Sequence, residues 1–219
     1  MIKGNAPSST SPSQAGPCIY VIDDDQSVRD ALSSLFRSVG YLVQVFGSTS
    51  EFIQAKRIDA NSCLVLDIRL PGASGLDLQS HLNREQMPIP VIFMTGHGDI
   101  PMSVRAMKAG AIDFLAKPFR DQDMLDAVAN ALDSDRKRRE ADQSLAAVRA
   151  AFETLTTRER EIMQFVTSGL MNKQVAGKLG LSEITVKIHR SSVMKKMGCQ
   201  SLAELVRMAA ILGLTIPKG

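Results

Sequence analysis

Four apolar runs each end on polar residues suited to chemistry. Asp23, Asp24 and Asp25 follow Ile19-Tyr20-Val21-Ile22, and Asp67 follows Leu64-Val65-Leu66. Thr95 follows Val91-Ile92-Phe93-Met94, and Lys117 follows Phe114-Leu115-Ala116. Read as parallel strands of one open sheet, these runs bring carboxylates, a hydroxyl and an ammonium to the carboxyl ends of the strands, where such sheets bind ligands. Clustered carboxylates repel one another unless a hard cation with oxygen ligands joins them, and Mg2+ is the expected ion. A metal beside a carboxylate, a hydroxyl and a lysine is equipped to neutralise charge on a phosphoryl group in transfer. Asp67 is the expected acceptor, since a carboxylate can be the nucleophile that becomes an aspartyl phosphate.

Asp25 either joins this cluster or caps the helix that begins near Ser27. His97, between Gly96 and Gly98, is expected to be structural or exposed rather than an acid or base. Gly72 and Gly75 need only turn conformations.

A second constellation lies near the other end. Asn172–Leu179 reads as a short helix, Gly180-Leu181 as a turn, and Ser182 as the cap of a helix from Glu183 to about Met197. Helix, tight turn and helix is the shape that fits a second helix into the DNA major groove. In that helix Val186, Val193, Met194 and Met197 are expected in a core, while Thr185, Lys187, His189, Arg190, Lys195 and Lys196 point largely outward. A face of lysine and arginine neutralises phosphates, and side chains near the helix start read base edges.

The elements that must position these groups follow from pattern. Five short apolar runs, with Leu42–Phe46 as the second, alternate with amphipathic stretches, which predicts a parallel sheet with helices on both faces. Residues 1–17, rich in Ser, Pro and Gly, are expected to be a disordered leader. From Pro118 to Gly169 neither Gly nor Pro interrupts a helix. Its middle, Asp135–Glu140, carries no apolar seam, so residues 135–154 read as a helical linker, either solvated or taking part in dimer contact. Thr156 and Glu159 form a capping box, after which Gly169, Gly180 and Gly198 punctuate three helices. Ser201 caps a fourth, Leu202 to about Leu212.

Composition supports this division. The chain has 219 residues, 44% hydrophobic and 22% charged, enough for one large domain or two small ones. The net charge of +3 conceals an asymmetry: residues 1–134 carry 11 Lys and Arg against 15 Asp and Glu, a net −4, and residues 135–219 carry 15 against 8, a net +7. An acidic front and a basic back suggest two modules with different partners, the basic one meeting a polyanion. Cys18, Cys63 and Cys199 have no disulfide or zinc spacing and are expected to be buried reduced thiols in a cytoplasmic protein. No apolar run approaches a membrane span, and no signal peptide is evident.

Residues 18–134 resemble the receiver domain of two-component response regulators, through IDDD, LDIRLPGASGLDL, MTGHGD and AKPF in order and spacing. The resemblance implies a flavodoxin-like five-stranded parallel sheet, order 2-1-3-4-5. It implies that a sensor histidine kinase phosphorylates Asp67, and that Asp24, Asp67 and the Arg69 carbonyl bind Mg2+ with Asp23 behind through water. It further implies that Thr95 and Lys117 hold the phosphoryl oxygens and that Phe114 either rotates inward as a switch or is plain packing. Many receivers carry Tyr at that position, so only ring movement, not a moving hydroxyl, remains here.

Residues 155–219 resemble the LuxR/FixJ type of helix-turn-helix, from LTTRERE through TVKIHR to SLAELV, in a small all-α domain of four helices. The match implies DNA contacts by Lys187, His189 and Arg190, supported by Asn172, Lys173, Thr185 and Lys195 or Lys196. Ile184 departs from the basic residue common in the family, so it either touches a thymine methyl or contributes nothing. The whole resembles a FixJ-like or NarL-like response regulator that, once phosphorylated, dimerises through the receiver and the fourth back-domain helix, binds two promoter half-sites and recruits RNA polymerase. Such a protein is not an enzyme beyond its own phosphorylation and slow dephosphorylation. The rival reading is a phosphotransfer protein or hydrolase with a protein-binding helical module, in which Asp25 is the one nearby candidate for a second acid.

Overall fold

In the computed structural model, which describes residues 16–96 and 100–214, the first strand, β1 (Cys18–Ile22), is buried along its whole length. It lies between β2 (Leu42–Phe46) and β3 (Ser62–Asp67), parallel to both, with Cys18 opposite Leu42 on one side and Ser62 on the other. β6 (Val91–Thr95) and β7 (Asp113–Ala116) complete a five-stranded parallel sheet in the order β2-β1-β3-β6-β7. This is the expected flavodoxin-like order. Between β3 and β6 the chain adds a two-stranded antiparallel ribbon, β4 (Arg69–Leu70) with β5 (Ala73–Ser74), which the sequence pattern did not announce. Except for Gly16 and Pro17, the leader lies outside the described residues.

Alternation along each strand decides what covers each face. Tyr20, Ile22, Leu64, Leu66 and Phe93 pack with Phe52 of α2 (Thr49–Gln54), Leu78 and Leu82 of α3 (Gly75–Arg84) and Ala106 of α4 (Ile100–Lys108). Ile19, Val21, Cys63, Val65, Ile92 and Met94 pack with Leu32 and Phe36 of α1 (Gln26–Ser38) and with Met124, Val128 and Ala131 of α5 (Asp121–Glu153). Strands covered on both sides need near-continuous apolar runs, which is why they stood out in the sequence.

The 33-residue α5 runs through the division between two compact units, Met1–Arg139 and Glu140–Gly219. It is not solvated throughout from residue 135. Asp135 is buried; its Oδ2 accepts from the Ser62 N–H at 3.0 Å and from Arg139 Nε at 2.8 Å, and Arg138 donates to Oδ1. Arg139 also reaches Asp59 at 2.8 Å. A carboxylate is needed there because the first N–H of β3 would otherwise be buried without a partner, so the α/β unit keeps hold of the helix beyond residue 134.

In the second unit, α6 (Thr157–Thr167), α7 (Asn172–Leu179), α8 (Glu183–Lys196) and α9 (Leu202–Ile211) enclose a core of Ile162, Met163, Val166, Val175, Val186, Val193, Met197 and Leu205, joined by Val148 from the end of α5. Ser182 and Ser201 cap α8 and α9 as expected. Cys18, Cys63 and Cys199 are buried free thiols.

Candidate functional site

The sheet places Asp23, Asp67, Thr95 and Lys117 at the carboxyl ends of β1, β3, β6 and β7. Asp23, Asp24 and Asp67 each offer a carboxylate oxygen within 4.8 Å of the others. Asp23 and Asp67 are buried, whereas Asp24 is exposed. Lys117 Nζ lies 2.6 Å from Asp23 Oδ2 and 2.6 Å from Asp67 Oδ2. The other oxygens are held by backbone: Asp25 N–H donates to Asp23 Oδ1 at 3.0 Å, and Arg69 N–H to Asp67 Oδ1 at 2.9 Å.

Burial pushes the Asp23 carboxyl above its ordinary value despite Lys117 beside it. Burial also pulls the Lys117 ammonium down, but the two carboxylates outweigh it and hold Lys117 above its ordinary value. Three carboxyl groups thus crowd around one ammonium, which reaches two of them. Three hard oxygen donors, one facing solvent, form an acidic pocket of the kind that binds Mg2+.

Asp25 plays the capping role. Its Oδ1 accepts from Ser27 N–H at 2.8 Å and Ser27 Oγ at 2.6 Å, and these bonds hold its carboxyl below the ordinary range. Such a group stays ionised and is a poor second acid. Thr95 is buried, with its carbonyl accepting from the Lys117 N–H at 2.7 Å. Phe114 pairs in register with Phe93 and packs, half-buried, against the core. His97 lies outside the described residues.

Gly75 has a different purpose from the turn expected of it. A Cβ there would stand 2.5 Å from the Asp67 carbonyl oxygen, so the start of α3 can press against the end of β3 only without a side chain. Gly72, at φ +83°, is the turn residue of the β4–β5 ribbon. The spacing Asp67-x7-Gly75 was visible in the sequence, but the close approach was not.

In the helical unit, α7 and α8 meet through Arg190 Nη1, which donates to Asn172 Oδ1 at 3.2 Å. Thr185 hydrogen-bonds the capping Ser182, by N–H at 3.1 Å and between hydroxyls at 2.8 Å. Lys173, Lys187 and Lys195 are exposed, and His189 and Arg190 partly so. Lys196 is engaged elsewhere: its Nζ lies 2.7 Å from Glu159 Oε2.

Glu159 is the residue whose reach the sequence understated. Beyond the Thr156 N–H of its capping box, at 2.8 Å, it accepts from Ser192 Oγ at 2.6 Å and from Lys196, so one buried carboxylate ties the entry of α6 to α8. Burial alone would raise its pKa, but these partners outweigh burial and hold it down to about 2.

Comparison with known proteins agrees with both halves. The family described as "Response regulator receiver domain" matches residues 19–129, and "Bacterial regulatory proteins, luxR family" matches residues 153–209. Nodulation protein W of Bradyrhizobium diazoefficiens is 59% identical over 197 residues, covering 90% of this chain and 87% of that protein. Transcriptional regulatory protein FixJ of the same species is 38% identical over 196 residues, covering 90% and 96%. The solved structure of response regulator StyR is 47% identical with a TM-score of 0.82, covering 90% of this chain and 99% of that one. Among the described residues no helix is long and apolar enough to cross a membrane. The chain belongs to the two-component response regulators that join a receiver domain to a LuxR-type helix-turn-helix, and so is a DNA-binding regulator of transcription and not a conventional enzyme.

Proposed function

We propose that Asp67 accepts a phosphoryl group from the phosphohistidine of a sensor kinase. A carboxylate oxygen of Asp67 attacks phosphorus, the P–N bond breaks, and the departing imidazole nitrogen keeps the electron pair and takes up a proton. Asp23, Asp24, Asp67 and the Arg69 carbonyl would hold Mg2+, which when bound supplies positive charge against the phosphoryl oxygens. The observation that carries this reading is the single ammonium of Lys117 shared between Asp23 and Asp67. An ammonium already on the acceptor carboxylate can follow the new oxygens with little reorganisation. Thr95, at the neighbouring strand end, donates its hydroxyl to the same group, and Phe114 turns inward as the hydroxyl moves.

The phosphorylated chain then dimerises and binds two promoter half-sites through Lys187, His189 and Arg190, with Asn172, Lys173, Thr185 and Lys195 in support, and activates transcription with RNA polymerase. Lys196 contributes by holding α8 on Glu159 rather than as a principal phosphate contact. The commitment of Asp25 to its helix cap weighs against a hydrolase. Promoter binding by the wild type and Asp67→Asn, each treated with acetyl phosphate, tests the proposal. Only the wild type should gain affinity, and equal affinity would rule phosphorylation out as the switch.

A further inference from the structure

Counting around α8 at 100° per residue, the face opposite the buried Val186, Val193 and Met197 is Ile184, Ile188, Ser191 and Lys195. Ile184 and Ile188 are 73% and 64% exposed. They stand one turn apart, forming one apolar surface over the first half of the helix, while the second half of the same stripe is polar and cationic. Leaving two isoleucines in water gains nothing for the fold, whose core is filled from the other side.

Resting on the DNA-binding reading above, we propose that Ile184 and Ile188 determine sequence specificity by packing on the 5-methyl groups of thymines in each half-site. Duplex DNA is the occupant that the surroundings favour. Exposed Lys187 and Lys195 flank the apolar pair, a charge pattern suited to a polyanion and adverse to an apolar protein surface. In the major groove the thymine methyl is the apolar feature that distinguishes one base pair from the others. The amino-terminal part of a recognition helix is the part that reaches base edges. Ile184 and Ile188 occupy that part, and Lys195, about two turns beyond Ile188, is left for the phosphate backbone.

Duplexes selected from a randomised pool by the acetyl-phosphate-treated full chain provide the probe. In a selected duplex each thymine is replaced singly by deoxyuridine, which removes the methyl and leaves the hydrogen-bonding edge. One or two positions per half-site should lose about fourfold in affinity, the worth of one buried methyl. At those positions Ile184→Ala or Ile188→Ala should bind thymine and deoxyuridine equally, with an unchanged slope of affinity against salt. Both positions are exposed, so neither variant disturbs the core. Deoxyuridine without effect at every position, or alanine variants that keep the full discrimination, would overturn the proposal while leaving DNA binding intact. Alanine variants that alter the sedimentation of the chain but not thymine discrimination would make this face a protein contact and equally overturn it. A wild type that binds no duplex, at low salt included, would instead sink the DNA-binding reading and this inference with it.

Discussion

Lys117 and Asp67 share a 2.6 Å ion pair across the carboxyl ends of β7 and β3, and the same ammonium lies 2.6 Å from Asp23. One cation on two carboxylates is both a clamp and a competitor, because whatever else the carboxylates bind must share them with it. Lys117→Ala should therefore tighten Mg2+ binding roughly tenfold through removal of a like charge at contact distance, while slowing phosphorylation of Asp67. Calorimetric titration with Mg2+ measures the first effect, and unchanged or weaker binding would contradict the electrostatic account.

Glu159 makes the helical unit sensitive to acid. Its carboxyl is held down to about 2 in the folded chain and titrates near 4.3 when unfolded. Between those values the unfolded state binds more protons, so stability rises with pH. The contribution is complete above about 4.3 and is lost as pH falls toward 2. Hydrogen-exchange protection factors at the Val186 and Val193 amides should fall as pH drops through that window, and Glu159→Gln should flatten the dependence while lowering stability by about 2 kcal/mol.

Asp135→Ala should cost the α/β unit roughly 3 kcal/mol, since it strands the Ser62 N–H and takes a buried carboxylate away from both Arg138 and Arg139. Asp135→Asn retains one acceptor and should cost less. Urea unfolding of the two variants gives the comparison, and equal losses would remove the Ser62 bond from the explanation.

Gly72 and Gly75 separate two uses of glycine three residues apart. Gly72→Ala meets open space and carries only the strain of its positive φ, about 1 kcal/mol. Gly75→Ala drives a Cβ to 2.5 Å from the Asp67 carbonyl and must displace backbone, so it should cost about 2 kcal/mol or more and slow phosphorylation as well. Acetyl-phosphate labelling at equal folded concentration distinguishes them: Gly72→Ala should label like the wild type.

The elements most legible in the sequence were those with a repeated physical demand. Strands buried on both faces show as unbroken apolar runs, and Ser182, Ser201 and Thr156 betray helix starts because orphan N–H groups need a side-chain oxygen. Asp23, Asp67, Thr95 and Lys117 can be grouped from the sequence alone because each closes a strand of one parallel sheet. What escaped depended on single contacts between distant segments. Asp135 sits in a run of charges that looks solvated and is buried only because β3 begins beside it. Lys195 and Lys196 are equivalent by composition, and only the packing of α6 on α8 directs one of them to Glu159. The β4–β5 ribbon has strands of two residues, too short for any period to show.

The three buried thiols have a practical consequence. Burial pushes Cys18, Cys63 and Cys199 up, so each stays protonated and a poor nucleophile while its surroundings are folded. Alkylating reagents should therefore modify them only when the local structure opens. Cys18 and Cys63 sit in the sheet and Cys199 in the helical core, so the chain carries a native reporter of unfolding in each half. Pulsed alkylation read by peptide mass can follow the opening of the two units separately, without an introduced label.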